Sequence, residues 1–585
     1  MTKKAWVRRI VVGTLTVVLA SCSGNGSGAT DAGVTDDNGA RTDSGNGVPQ
    51  KCVVDQPFPY LDSPYPGIHG NMGNNERIAC EGPVTAPTPG WSRLVDRMIF
   101  NPMTVGTDRI YAVVIRTQGC KLWTVSLVDG EEACFPKGDP EMLSMGVLGS
   151  SPELDQDGNV YVTDGWMDRP DGVFSFDHDG NLRWHRTFEG LRQQEPDTYG
   201  PPLGLHFTAD GDVATVAPDG LVVVLAREAD APNNGIRGSF DIVHQTNLRP
   251  LKPGQDTAPA GDLPPYLGCR MQQVFGEELS VDMMRAALSG GTGGSGAYTD
   301  NTIAASGDLL FVVGGGPDHG DGFAENGALV AIRTKPEKQG LDMELAWYMQ
   351  TNGPTGSSPT VSPDGRWVVV SDVTAEGRAR IVTADVKACE AAEGKAAPAC
   401  APAWTYVLEG GPLLAHLSID EDGVVYAWNQ GADPKAPDLV AVSPPDAQHK
   451  EAWLKWGASF PSPRPVELPS TDWTSTVLVL DNSVVGTVTH AKYMEAADMG
   501  LPVPIAIRAE HELVGVRRSD GKVLWRNVPM PDAAINSPTL GPDGNIYVPI
   551  FGFIDFAALP DNPLSQDCAD ASGAYQGGVV QFVVK

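Results

Sequence analysis

The sequence predicts an all-β fold, an eight-bladed β-propeller of four-stranded antiparallel sheets behind a disordered, lipidated N-terminal leash. Three observations predict it. An acidic-glycine turn followed by a β-branched run recurs seven times after residue 100. Alternating apolar and polar residues extend each unit, and a tryptophan falls late in several of them. Repetition of this kind means that no unit buries its own apolar face, so the array is the folding unit.

The turn reads Asp157-Gly158-Asn159-Val160-Tyr161-Val162 in one copy and Asp543-Gly544-Asn545-Ile546-Tyr547-Val548 in another. Looser copies begin at Asp210, Asp364 and Asp422, and degenerate ones at Asp481 and Gly307. Strands such as Gly172-Val173-Phe174-Ser175-Phe176 alternate with period two and end at a new turn, here Asp179-Gly180-Asn181. That is hairpin chemistry. Four such strands make one small sheet, and the units recur about every 50 to 60 residues. A weaker first unit, Asp108 to Val114 with Leu122 to Val125, brings the count to eight. Radial repetition protects the edges of such sheets. Trp184, Trp347, Trp404, Trp453 and Trp525 are expected to wedge between neighbours as core, each burying about 150–250 Å².

The N-terminus reads as an export signal over residues 1–21, with Lys3, Lys4, Arg8 and Arg9 ahead of an apolar stretch from Ile10 to Leu19. Leu19-Ala20-Ser21-Cys22 resembles the lipobox of bacterial lipoproteins, which implies cleavage before Cys22 and acylation of its thiol. Residues 22–50 form a flexible Gly/Ser/Asp linker with an expected reach of roughly 30 Å. No later apolar stretch attains the roughly 20 residues of a membrane helix, so membrane attachment is expected through the lipid anchor only. Ser23 resembles the residue type that permits sorting to the outer membrane. Cell envelope, with the outer membrane favoured, is the expected location.

Residues 51–99 are expected to pack on the propeller as an extension, and 100–585 to form the ring with one inserted loop near 230–300. Within that interval a short helix from Ser280 to Leu288 is expected. Apart from Cys22, eight of the nine cysteines remain, an even number in an exported chain. Candidate disulfides are Cys120–Cys134 and Cys389–Cys400 for their short loops, Cys52–Cys80 as a staple on the extension, and Cys269–Cys568 as the remainder. Sequence alone leaves the connectivity open.

Net charge is −31, from 73 acidic and 42 basic residues, with no basic stripe. Nucleic acid is therefore excluded as a partner.

The strand–Asp–turn–Gly–x–x–x–Trp phrase resembles the repeat of the PQQ-like, quinoprotein-type β-propellers, over roughly residues 100 to 585. The resemblance implies eight blades and two kinds of relative: periplasmic quinoprotein dehydrogenases, and lipoproteins such as the propeller subunit of the outer-membrane β-barrel assembly complex. Gly577 to Val584 resembles a closing strand. The dehydrogenases carry adjacent cysteines over the cofactor, and this chain has none. No catalytic or cofactor-binding residue is therefore assigned, and none of the ten histidines forms an i, i+4 pair. Asp155-Gln156-Asp157-Gly158-Asn159 and Asp177-His178-Asp179-Gly180-Asn181 resemble the start of calcium loops, yet turn chemistry explains both, and Gly314–Asp321 reads as a mobile acidic loop with a similar ambiguity. No metal site is assigned. The expected function is a non-catalytic binding or assembly scaffold for a protein or glycan of the envelope, without a cofactor. The alternatives are a divergent PQQ- and calcium-dependent dehydrogenase and a polysaccharide-acting hydrolase or lyase.

Overall fold

The computed structural model describes residues 51–251, 298–550 and 577–585, apart from short intervals within them. Among these residues, eight antiparallel sheets follow one another around a ring. Blades 1 to 3 span 104–135, 153–187 and 205–241; blades 4 to 6 span 304–350, 360–407 and 418–458; blade 7 spans 470–530. Blade 8 combines 539–550 and 578–583 with an outermost strand from far upstream, Thr88–Arg93, which pairs antiparallel with Gly578–Val583. The segment expected as an extension thus supplies one strand of the ring, and Gly578–Val583 is flanked on both sides. Blade 4 gains a fifth, parallel strand at Ala399–Cys400.

Apolar residues face the neighbouring blade on both sides of each sheet, so the core is a circle of layers. One layer unites Tyr111, Val113 and Phe135 of blade 1 with Val160, Phe174 and Phe176 of blade 2. Equivalent layers join the later pairs.

The tryptophans obey a register rule. Trp184, Trp347, Trp456 and Trp525 lie opposite Ser175, Ala331, Ala441 and Gly515, and a β-bulge occurs at each pairing. A small residue there leaves room for the indole; a Cβ on Gly515 would sit 2.3 Å from the Trp525 ring. Trp184 donates to the carbonyl of Arg227 in blade 3, Trp456 to that of Arg518 in blade 7, and Trp525 to that of Pro83. Trp347 and Trp404 are buried in the layers they share with the next blade. In blade 6 the expected Trp453 is displaced by Trp456. Trp453 faces Ser443 and is half-buried, stacked on His449 at 4.3 Å. It lies three residues out of register.

The Asp-Gly turns close on a carboxylate. Asp155 Oδ1 accepts the amides of Asp157 and Asn159, while Oδ2 accepts from Tyr161 OH at 2.8 Å and Arg227 at 3.1 Å. Asp420 repeats this with Tyr426 at 2.7 Å and Arg518 at 2.9 Å, and Asp543 with Tyr547 at 2.6 Å. In blades 2 and 6 the arginine comes from the next blade, so the turn also rivets blades together. Asp177 likewise accepts the amides of Asp179 and Asn181. In the acidic 314–321 loop, Asp318 Oδ1 accepts from Gly320 and Gly322.

Disulfides join Cys52 to Cys80, Cys120 to Cys134 and Cys389 to Cys400. The signal segment, Cys22, the linker 22–50, the Cys269–Cys568 pair and the 280–288 helix lie outside the described residues. The interval expected as one insertion is not all loop. Ile236–Asp241 is the outermost strand of blade 3, and Ile242–Gln245 a short helix capped by Asp241. Among the described residues, no helix is long and apolar enough to cross a membrane.

Candidate functional site

Innermost strands of a ring leave unpaired backbone amides facing the axis, and here residues 51–83 satisfy them. This segment, the strap, meets all eight blades. Val105, Leu154, Ala305, Val361, Ile419 and Val479, in blades 1, 2, 4, 5, 6 and 7, donate amides to the carbonyls of Tyr65, Pro66, Met72, Gly73, Asn75 and Glu76. Tyr60 OH reaches the Phe207 amide of blade 3, and the Cys52 amide reaches Pro542 of blade 8. The Cys52–Cys80 disulfide joins both ends of this circuit. Arg77 fastens the strap outside by ion pairs to Glu421 and Asp481, which stand at turns of blades 6 and 7.

Where the strap crosses the axis it buries a polar cluster. His69 Nδ1 lies 2.6 Å from Glu76 Oε1, and Tyr65 OH donates to Glu76 Oε2 at 2.6 Å. The His69 ring stacks on His416, which enters just ahead of the first strand of blade 6, with centroids 4.0 Å apart. His416 Nε2 lies 2.6 Å from the Asn74 carbonyl. Asn74 holds the centre. Its amide nitrogen donates to Thr302 Oγ1 and the carbonyls of Ile303 and Pro359, and its Oδ1 lies 2.6 Å from His206 Nε2. Tyr60 OH is 3.0 Å from His206 Nδ1, and Glu153 of blade 2 accepts the Ile68 amide at 2.8 Å.

Electrostatics follow from burial, since tyrosines, glutamates, Asn74 and His206 here are 2% exposed or less. Loss of water disfavours any charge. Burial pushes the imidazoles of His69 and His416 down to about 3 and that of His206 well below its usual value. The same cause raises Glu153 and Tyr60 well above theirs. Three residues of the strap, His69, Asn74 and Glu76, hold left-handed φ angles of 54°, 54° and 56°. Side chains rarely adopt this backbone, and such strain collects at functional sites.

Sequence reasoning left these residues unassigned. His69 and Glu76 are seven apart on an irregular segment, and His416 is brought in from blade 6, so no local spacing marks them. A second polar set lies in blade 7, where buried His490 and Glu512 face each other on the long hairpin with Nε2 and Oε1 2.8 Å apart, and half-buried Arg526 of the outermost strand donates to Glu512 at 2.6 Å.

No family model and no curated protein matches the sequence. Solved structures match it in fold at low identity. A quinohemoprotein alcohol dehydrogenase, ADHIIG from Pseudomonas putida HK5, is 12% identical with a TM-score of 0.44, over 90% of this chain and 80% of its own. BamB from Moraxella catarrhalis is 11% identical with a TM-score of 0.34, over 81% and 90%. Chaetomium thermophilum Sqt1, solved with the N-terminus of the ribosomal protein L10, is 12% identical with a TM-score of 0.30, over 64% and 86%. The chain is similar to these proteins as a β-propeller.

Proposed function

We propose that this protein is an exported, lipid-anchored propeller acting as a non-catalytic binding or assembly scaffold for a protein or glycan of the cell envelope. One observation carries the reading. The strap closes over the axis, and the polar groups gathered there are buried beneath it, so a ligand meets the outer surfaces of the ring. A rigid ring with loops on two faces suits recognition, and the step from fold to role is analogy. The anchor follows from Cys22, and the outer membrane from Ser23.

Crosslinking in intact cells, followed by identification of the captured species, tests the role. Recovery of one envelope component by the wild type, lost when the captured face is mutated, is the expected result. Purified protein that retains added PQQ with calcium and reduces a dye with alcohols or sugars overturns it. Cys22→Ser should release the protein from membrane fractions, and a variant that stays attached removes the anchor from the proposal.

A further inference from the structure

We propose that His69, Glu76 and His416 form a binding site for one divalent transition-metal ion of the zinc class, which pins the strap to blade 6. Each of the three side chains offers a ligand atom, and these atoms lie within 4.8 Å of one another. Zinc bonds of about 2.0–2.2 Å to nitrogen and oxygen are shorter than this spread allows, so binding must draw the three side chains together and turn the stacked His69 and His416 rings.

The protonation of His416 suits a ligand. The Asn74 carbonyl is only an acceptor, so His416 Nε2 carries the proton of the neutral ring. Nδ1 is then a bare lone pair, buried and without a hydrogen-bond partner. An unmatched acceptor in the interior is destabilising, and a cation removes that penalty. Metal-bound imidazoles commonly donate their other N–H to a backbone carbonyl, and ligating carboxylates are themselves hydrogen-bonded. The Asn74 carbonyl and Tyr65 OH fill those two supporting roles.

Backbone geometry agrees. Left-handed residues concentrate at His69, Asn74 and Glu76, two ligands and the residue that orients the third. The folded ring retains them there despite the strain. Two imidazoles and one carboxylate select a zinc-like ion over calcium or magnesium, which favour oxygen ligands. An ion entering here replaces the His69–Glu76 hydrogen bond and leaves a fourth position for water.

The test uses the full chain, both as purified and after refolding with Zn2+ or Co2+ alone, because the site is buried. Elemental analysis should find about one zinc per chain, and cobalt should give the visible absorption of a four-coordinate site. The Glu76→Gln/His416→Gln double variant should hold at least about ten-fold less metal. His244→Gln removes an exposed imidazole and should leave the content unchanged. Less than about 0.1 ion per refolded wild-type chain, or equal binding by the double variant, overturns the assignment. Should the double variant fail to fold, Tyr65→Phe decides. It keeps the ring and removes one hydrogen bond that orients Glu76, so metal affinity should fall about ten-fold or more, and unchanged affinity overturns the site.

Discussion

Two carboxylates on one short stretch of blade 2, two residues apart, meet opposite circumstances. Asp155 belongs to the repeated turn and is held by backbone amides, a tyrosine and an arginine from the next blade. Glu153 belongs to the axis. Its Oε1 accepts the Ile68 amide, while Oε2 is buried with no hydrogen-bond partner. The carboxylate of the repeated turn is saturated and serves the ring. Under the strap, Glu153 Oε2 and His416 Nδ1 are left with spare lone pairs.

The sharpest way to break this contrast lies in blade 6. Trp456→Ala should cost about 3–5 kcal/mol, whereas Trp453→Ala, out of register, should cost less than about 1 kcal/mol. Denaturant melts compare the two, and equal losses would deny the register rule. Next comes the strap. Cys52→Ser with Cys80→Ser opens a loop with a sequence separation of 28 residues and should lower stability by about 3–4 kcal/mol. Asn74→Ala strands several buried groups at once and should cost about 3 kcal/mol. Hydrogen exchange should then report faster amides in the innermost strands of blades 4 to 6. A loss spread evenly over the ring would merge the two regions into one.

The repeated lock predicts a smaller effect. Tyr426→Phe deletes the bond to Asp420 and should cost about 1 kcal/mol by thermal melting. Smallest is a pH effect at the strap's outer fastening. Arg77 and Arg518 lower Glu421 to about 2 in the folded chain, against burial acting the other way. The unfolded chain therefore binds more protons between about 4.5 and 2. This contribution is fully present above about pH 4.5 and is lost as pH falls through about 2. Glu421→Gln should flatten the acid limb of the melting curve, and an unchanged limb would place the fastening elsewhere.

The ring was legible in the sequence because its determinants are local. Asp-Gly turns fix hairpins, alternation fixes faces, and the period fixes the blades. Trp453 misled because Trp456 follows three residues later, and only the pairing with Ala441 chooses between them. The strap was illegible for a physical reason. Its contacts with six blades go through backbone carbonyls, which every residue carries, and its prolines and glycines read as ordinary loop. The axial site was hidden in the same way, since His69, Asn74 and Glu76 take a backbone normally advertised by glycine. Thr88–Arg93 offered no sign that its partner was the far C-terminal strand.

That last pairing, Thr88 with Val583 and Arg93 with Val579, makes closure wait for residues almost five hundred positions downstream. Contacts this remote in sequence form slowly, because the entropy of closing a long loop is lost before they contribute. A polypeptide halted before residue 578 would leave Thr88–Arg93 as a bare edge, open to proteases and to strands of other molecules. Only a chain extended through Val583 can latch.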